Sequence, residues 1–292
     1  MSILYLVGTP IGNLEDITYR AVRMLTEVDY IFCEDTRVTG KLCQHYEVQT
    51  PLKSYHEHNK DKSSEQILRL LEEGKDIALV SDAGCPCISD PGYELVNQVR
   101  DTGYRVETIP GPNAAITALM TSGLPSYKFV FLGFLPRHAK EKHDVLEKWM
   151  TRESTSMIYE SPYRIKQTVQ AIAEIDPERK VAIGRELTKK FEQVETNQIK
   201  VIEEMLSNEV IPQKGEFVIL IEGIDESTQV DNWWEDLDLV QHVEIYINEH
   251  QMRSKDAIKQ VAVDRKMKKE MYTKRIILTN KQKRKFKVND VL

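Results

Sequence analysis

Between residues 1 and 115, short apolar runs alternate with stretches of helical spacing, and that alternation leaves few folds open. Ile3–Val7, Tyr30–Cys33, residues 52–55, Ile77–Val80 and Arg105–Ile109 have the length and content of strands. Residues 16–26 carry Ile17, Ala21 and Leu25 at helical intervals. Ser63 is placed to cap a helix through Glu73, with Gln66 in the capping-box position and Gly74 at its end. A further helix over 93–102 is closed by Gly103, and Asn113 caps one running to Thr121. Strand and helix in regular succession predict an α/β fold, with a parallel sheet and right-handed crossovers.

Glycine and proline gather after three of these strands. Gly8-Thr9-Pro10-Ile11-Gly12-Asn13 follows the first, Ser81-Asp82-Ala83-Gly84-Cys85-Pro86-Cys87 the fourth and Pro110-Gly111-Pro112-Asn113 the fifth. All three therefore stand at carboxyl ends of strands, the edge where open α/β sheets bind ligands. Glycine permits close approach of main chain to a ligand, and proline fixes the shape of a loop.

A domain over 1–121 is expected on this pattern. Residues 122–137 then read as a crossing, and a second α/β domain over 122–224 follows. Its expected helices lie near 140–149, 163–173 and 198–206, and its expected strands at 156–159, 180–184, 191–195 and 216–222. Residues 225–239 form an acidic linker. From 240 to 292 the pattern is helical: one helix over 239–249, a second capped by Ser254, a third over 268–277, and a basic tail.

Charge is distributed unevenly. The net charge of −6 conceals eight acids and no Lys or Arg over 225–250, against 14 Lys or Arg and four acids over 253–292. A basic end on an acidic body points to a polyanionic partner. No apolar run reaches membrane-spanning length, and the N-terminal run is too short and lacks the basic flank of a signal peptide. A cytoplasmic protein without a membrane partner is expected. The four cysteines, Cys33, Cys43, Cys85 and Cys87, fit neither a disulfide framework nor a standard zinc spacing, so no metal is assigned.

The segments LYLVGTPIGNLEDITYRA, CEDTRVTGKL, YHEHN, LVSDAGCPCISDPG, IPGPNAAITAL, FLGFLPR, YESPYR, GRELTKKFE and GEFVILIEG occur in this order across residues 3–223. Together they resemble the 16S rRNA (cytidine-2′-O)-methyltransferase family, in the tetrapyrrole-methylase-like, class III group of S-adenosylmethionine enzymes. The segment SKDAIKQVAVDRK resembles that family's C-terminal module. The resemblance implies two α/β domains with S-adenosylmethionine in the cleft between them. It also implies a homodimer, and 16S rRNA in the small ribosomal subunit as partner, modified in the decoding region. By the same resemblance Pro10 and Ile11 lie beside the cofactor, and Asp82, Ala83, Gly84 and Cys85 hold its methionine end. Ala114 and Ala115 permit close approach, while Tyr159, Glu160, Gly184, Arg185 and Glu216 serve the adenine side. The family usually has Thr-Pro where this chain has Cys85-Pro86. A thiol is a weaker hydrogen-bonding partner than a hydroxyl, so main-chain contacts matter more there.

Methyl transfer to a hydroxyl is an in-line displacement that gains from orientation, and from a base to take the proton. Candidate bases are Glu34 and Asp35 after the second strand, and His56 and Glu57 after the third; the alternative is positioning alone, with water taking the proton. Because the sulfonium loses charge in the transition state, carboxylates are expected at the cofactor's ends rather than against sulfur. Arg37, Arg164, Lys189 and Lys190, with Arg185, are candidates for RNA phosphates. Two rivals stand beside this reading: a methyltransferase of the same fold acting on a tetrapyrrole or other small molecule, and a non-enzymatic nucleic-acid-binding regulator. A P-loop NTPase is disfavoured, since G-x-x-x-x-G-K-[ST] does not occur.

Overall fold

The computed structural model describes residues 2–224, 234 and 237–265. The expected third helix over 268–277, the basic tail and most of the acidic linker lie outside the described residues. The chain divides into two compact units, Met1–Ile224 and Asp225–Leu292.

In the first unit, β1 (Ile3–Val7), β2 (Tyr30–Cys33), β3 (Leu52–Ser54), β4 (Ile77–Val80) and β5 (Arg105–Ile109) form one sheet in the order β3-β2-β4-β1-β5. Every neighbouring pair is parallel. Alternate residues supply two cores, as the pleat requires. Ala78 and Val80 of β4 pack with Ala21 and Leu25 of α1 (Tyr19–Glu27) and Cys43 of α2 (Thr36–His45). Ile77 and Leu79 face the other way, onto Ile67 and Leu71 of α3 (Lys60–Glu72) and Leu95 and Val99 of α4 (Tyr93–Asp101).

Three local details differ from the sequence expectation. Residues Leu14–Asp16 form a separate 3₁₀ turn, and α1 starts only after Thr18, whose hydroxyl accepts from Ala21 N at 3.0 Å. Helix α2 falls in a stretch with no expected element; it starts where the Asp35 carboxylate accepts from Arg37 N at 2.8 Å. Ser63 does not cap α3, which begins at Lys60. Its buried hydroxyl instead donates to Ser54 O at 3.0 Å, while the Asn59 side chain at the cap position accepts from His56 N.

The second sheet has the order β6-β7-β10-β8-β9. It comprises β6 (Phe129–Phe134), β7 (Thr155–Glu160), β8 (Lys180–Arg185), β9 (Gln193–Gln198) and β10 (Phe217–Ile221), and only the β6–β7 pair is parallel. Strand β6 lies within the stretch expected to be a crossing. Gly133, at φ +66°, sits at a register shift in that strand, which is why its pattern reads as a turn. One face of the sheet, with Ile158, Ile183 and Ile219, is covered by α6 (Ala139–Met150), α7 (Ile165–Ile175) and α8 (Ile199–Ser207). The opposite face presents Met157, Ala182, Val218 and Leu220 to α5 (Ala114–Ser122). Helix α5 follows the last strand of the first sheet yet packs on the second. Gly184 permits this approach, since a Cβ there would lie 3.3 Å from the Ala118 Cβ.

The second unit contains α9 (Leu239–Asn248) and α10 (Ser254–Asp264), packed through Val243, Ala257, Val261 and Ala262. Asp238 and Gln241 form a capping box on α9. Ser254 is the first residue of α10 rather than its cap; Arg253 occupies the cap position and makes no side-chain cap bond. Buried His242 stacks between Trp234 and Tyr246, with ring centroids 5.3 Å from each. Among the described residues no helix is long and apolar enough to cross a membrane.

Candidate active site

Strands β4, β1 and β5 are adjacent and parallel, so the turns that follow them leave one rim of the sheet. These turns are tied to one another. Thr9 N donates to Gly84 O at 2.8 Å, and Gly84 N donates back to Thr9 O at 3.2 Å. Gly84 adopts φ +86°, a conformation that glycine accepts without steric cost. Gly8 N donates to Ile109 O at 3.0 Å, which brings the first turn against the third. A Cβ on Gly8 would lie 2.7 Å from the main chain of Gly111, and one on Gly111 would lie 2.8 Å from Gly8. The Cys85 thiol reaches Pro112 O at 3.5 Å, tying the second turn to the third. Asn113 then starts α5, its side chain accepting from Ile116 N at 3.1 Å.

Between this rim and the second sheet lies a cavity of about 400 Å³, within the ~300–1,000 Å³ common for small-molecule sites. Ten of the residues named from the sequence line it: Ile11, Glu34, Asp82, Ala83, Gly84, Cys85, Ala114, Tyr159, Glu160 and Glu216. Sequence reasoning did not name Ser89, Asp90, Phe134, Leu187 or Val218, which line it as well. They come from a β4–α4 segment wound through left-handed residues, from the end of β6, and from the second sheet and its turns. For Ser89 and Asp90 the available signal was the Asp90-Pro91-Gly92 turn beyond Cys87.

Pro10 and Ala115 are buried and do not line the cavity; Ala115 lies in the core shared with Ile11, Ala118 and Leu187. Gly184 lies against α5. Several candidate cations have other partners. Arg185 donates to Lys214 O at 2.8 Å and Phe191 O at 3.1 Å. Arg164 donates to Leu135 O and Pro136 O at 2.9 and 3.0 Å, with Glu160 at 3.5 Å. Lys189 lies over Gly12 and pairs with Glu186 and Glu216 at 2.9 and 2.8 Å. Arg37 is exposed and paired with Asp35 at 2.6 Å; Lys190 is exposed, 5.7 Å over the Phe191 ring.

The four candidate bases separate in the same way. Glu34 lines the cavity, and burial, followed by the Asp82 carboxylate, raises its pKa. Asp35 does not line it; its hydrogen bonds from Arg37 hold the carboxyl down at about 2. His56 stands near Glu34 with a buried Nδ1 that has no hydrogen-bond partner. Glu57 is exposed and paired with Lys60 at 2.9 Å. Asp82 accepts from Asp35 N at 2.9 Å. One wall of the cavity thus carries the carboxylates Glu34, Asp82 and Asp90, and another carries Phe134 and Tyr159, packed edge to face with centroids 5.7 Å apart. Among the described residues, no group of three or more His, Cys, Asp or Glu side chains is arranged to hold a metal ion.

Residues 3–203 match the family model described as Tetrapyrrole (Corrin/Porphyrin) Methylases. The chain is 50% identical over 275 residues to a Bacillus subtilis protein named ribosomal RNA small subunit methyltransferase I, covering 93% of each chain. A protein of the same name from Rickettsia prowazekii is 38% identical over 283 residues, covering 97% of each. Among solved structures, uroporphyrin-III-C-methyltransferase from Thermus thermophilus has a TM-score of 0.54 at 19% identity, over 76% of this chain and 94% of that one. Diphthine synthase has a TM-score of 0.57 at 10% identity, over 76% and 90%. At these identities the two structures establish a shared fold.

Proposed function

The chain belongs to the tetrapyrrole methylase family and, within it, groups with the ribosomal RNA small subunit methyltransferases I; from that premise we propose that it methylates the 2′-oxygen of a cytidine in the decoding region of 16S rRNA, with S-adenosylmethionine as donor. The carrying observation is a cavity in which three mutually tied turns face the ends of β7 and β10.

The residues present fit that donor. The cavity has the volume of a small-molecule site, with the short side chains of Ala83 and Ala114 on its lining. Carboxylates at Asp82 and Glu216 suit the cationic amine and the hydroxyls at its ends, and the Tyr159 and Val218 surfaces suit a flat heterocycle. When bound, S-adenosylmethionine supplies an electrophilic methyl group on a positively charged sulfur. Rigid turns orient it, and orientation of this kind is worth up to ~7–11 kcal/mol in favourable cases. Phe134 and Tyr159 give one side of the cavity an aromatic wall against which a bound donor would lie.

RNA rather than a tetrapyrrole is the acceptor in this reading because residues 253–292 carry 14 Lys or Arg. The exposed Arg37 and Lys190 remain as further phosphate contacts. The same reading makes the enzyme a cytoplasmic homodimer acting on the assembled small subunit, where shape and unpaired bases present the target. The test is to map ribose methylation on ribosomal RNA from cells with and without the protein. One 2′-O-methylcytidine of 16S rRNA is expected to disappear. An unchanged map, with methyl transfer to a tetrapyrrole in vitro, would move the assignment to the small-molecule branch of the fold.

A further inference from the structure

The segment between β4 and α4 is wound unusually tightly. Gly84, Cys87, Ser89 and Gly92 have φ of +86°, +68°, +66° and +143°, and two of these are not glycine. Gly92 backs onto Cys87 so closely that a Cβ would lie 2.6 Å from its sulfur. This path carries Asp90 to the cavity, where it lies half-buried. The groups acting on it are the Glu34 and Asp82 carboxylates and the Ser81 hydroxyl, and none is cationic. Its own charge is felt by the Cys85 and Cys87 thiols and the Tyr159 phenol. Four neighbouring carboxylates are paired, Asp35 with Arg37, Glu57 with Lys60, Glu160 with Arg164 and Glu216 with Lys189, whereas Asp90 shares its wall with Glu34 and Asp82 and no cation. Asp90 is therefore a cavity carboxylate whose proton affinity is not suppressed by a cation.

We propose that Asp90 is the base that accepts the proton of the acceptor ribose hydroxyl, with Glu34 beside it as the group that keeps it basic. The inference rests on the methyltransferase reading of this cavity. The O–H bond of the 2′-hydroxyl breaks and its proton passes to Asp90. The oxygen lone pair forms the new bond to the methyl carbon, and the old carbon–sulfur bond breaks with its electron pair retained by sulfur. Asp90 then releases the proton to water after product leaves. Burial, followed by the neighbouring Glu34, pushes the Asp90 carboxyl up to about 6. A base so tuned is ionised at neutral pH and still holds a proton better than an ordinary aspartate, the compromise that general-base catalysis favours.

The test compares wild type, Asp90→Asn and Glu34→Gln in methylation of small ribosomal subunits across pH, with S-adenosylhomocysteine affinity measured by calorimetry. Wild-type kcat is expected to rise with pH through an apparent pKa near 6. Asp90→Asn should lower kcat by ~10²–10⁴-fold and remove that rise, with S-adenosylhomocysteine affinity within about threefold of wild type. Glu34→Gln removes a neighbouring negative charge and should move the rise to lower pH. Retained kcat and pH profile in Asp90→Asn would overturn the proposal, as would a loss explained wholly by weaker S-adenosylhomocysteine binding, which would make Asp90 a cofactor anchor. Wild-type protein that transfers no methyl group to subunits overturns the substrate reading first, and the proposal with it.

Discussion

Gly111→Val is expected to lower S-adenosylhomocysteine affinity by at least ~100-fold, about 2.8 kcal/mol. A Cβ at this position would lie 2.8 Å from the Cα and carbonyl carbon of Gly8 and 3.0 Å from its oxygen. All three are main-chain atoms, so no flexible side chain can move aside. Overpacking of this kind costs ~1–3 kcal/mol in stability when the surroundings shift. Here the shift has a functional cost as well. The first turn cannot leave the third without pulling on the Thr9–Gly84 hydrogen bonds, and those bonds hold the second turn against the cavity. Calorimetry on the variant, with its melting temperature as a folding control, checks this. A folded variant that binds within about threefold of wild type would show that the rim tie does not shape the site.

Glu160→Ala is expected to destabilise the first unit by ~3–5 kcal/mol, with a fall in melting temperature on the order of 10 °C. The Glu160 carboxylate is buried at the end of β7, where it accepts from Thr168 Oγ1 at 2.7 Å and Ser161 N at 2.9 Å. Arg164 Nε lies 3.5 Å from it, and Nζ of Lys142, a residue only 5% exposed, reaches Thr168 Oγ1 at 3.4 Å. Truncation leaves two cations without their anion and two donors without an acceptor. Burial, then Arg164, lowers the Lys142 pKa, and Glu160 opposes that shift. Without Glu160 the folded-state pKa falls further below the unfolded value, so the unfolded chain binds more protons and stability rises with pH. The deficit of Glu160→Ala should therefore narrow as pH is raised. Glu160→Gln keeps an acceptor and should cost less. Thermal melts of both variants at several pH values read the two effects separately.

The first sheet was legible in the sequence because each strand is a short apolar run bounded by a turn or helix, and a regular strand–helix alternation admits few topologies. Its three Gly/Pro turns were legible for the same reason, since the carboxyl end of a strand follows from chain direction alone. Helix α2 was not, because its sequence TRVTGKLCQH is largely polar and contains Gly40; what starts it is the Asp35 cap. Strand β6 was hidden by Gly133 and the prolines on either side. Helix α5 could be placed along the chain but not in space. Its apolar character on every side makes sense only once the second sheet is seen to cover it.

Within the site, the residues of the Asp82–Cys85 turn could be named from the chain because they adjoin a strand end. Asp90 could not, since its direction depends on left-handed conformations at Cys87 and Ser89 that no residue pattern announces. The arginines show the converse. Arg164 and Arg185 read as phosphate ligands from sequence, yet both donate to carbonyls that the fold brings to them.

A crystal structure with S-adenosylhomocysteine bound tests the central claim most directly. The ligand is expected between the Asp82–Cys85 turn and Ala114 on one side and Tyr159, Glu216 and Val218 on the other. Density for the ligand elsewhere on the molecule, with this cavity filled only by solvent, would contradict it.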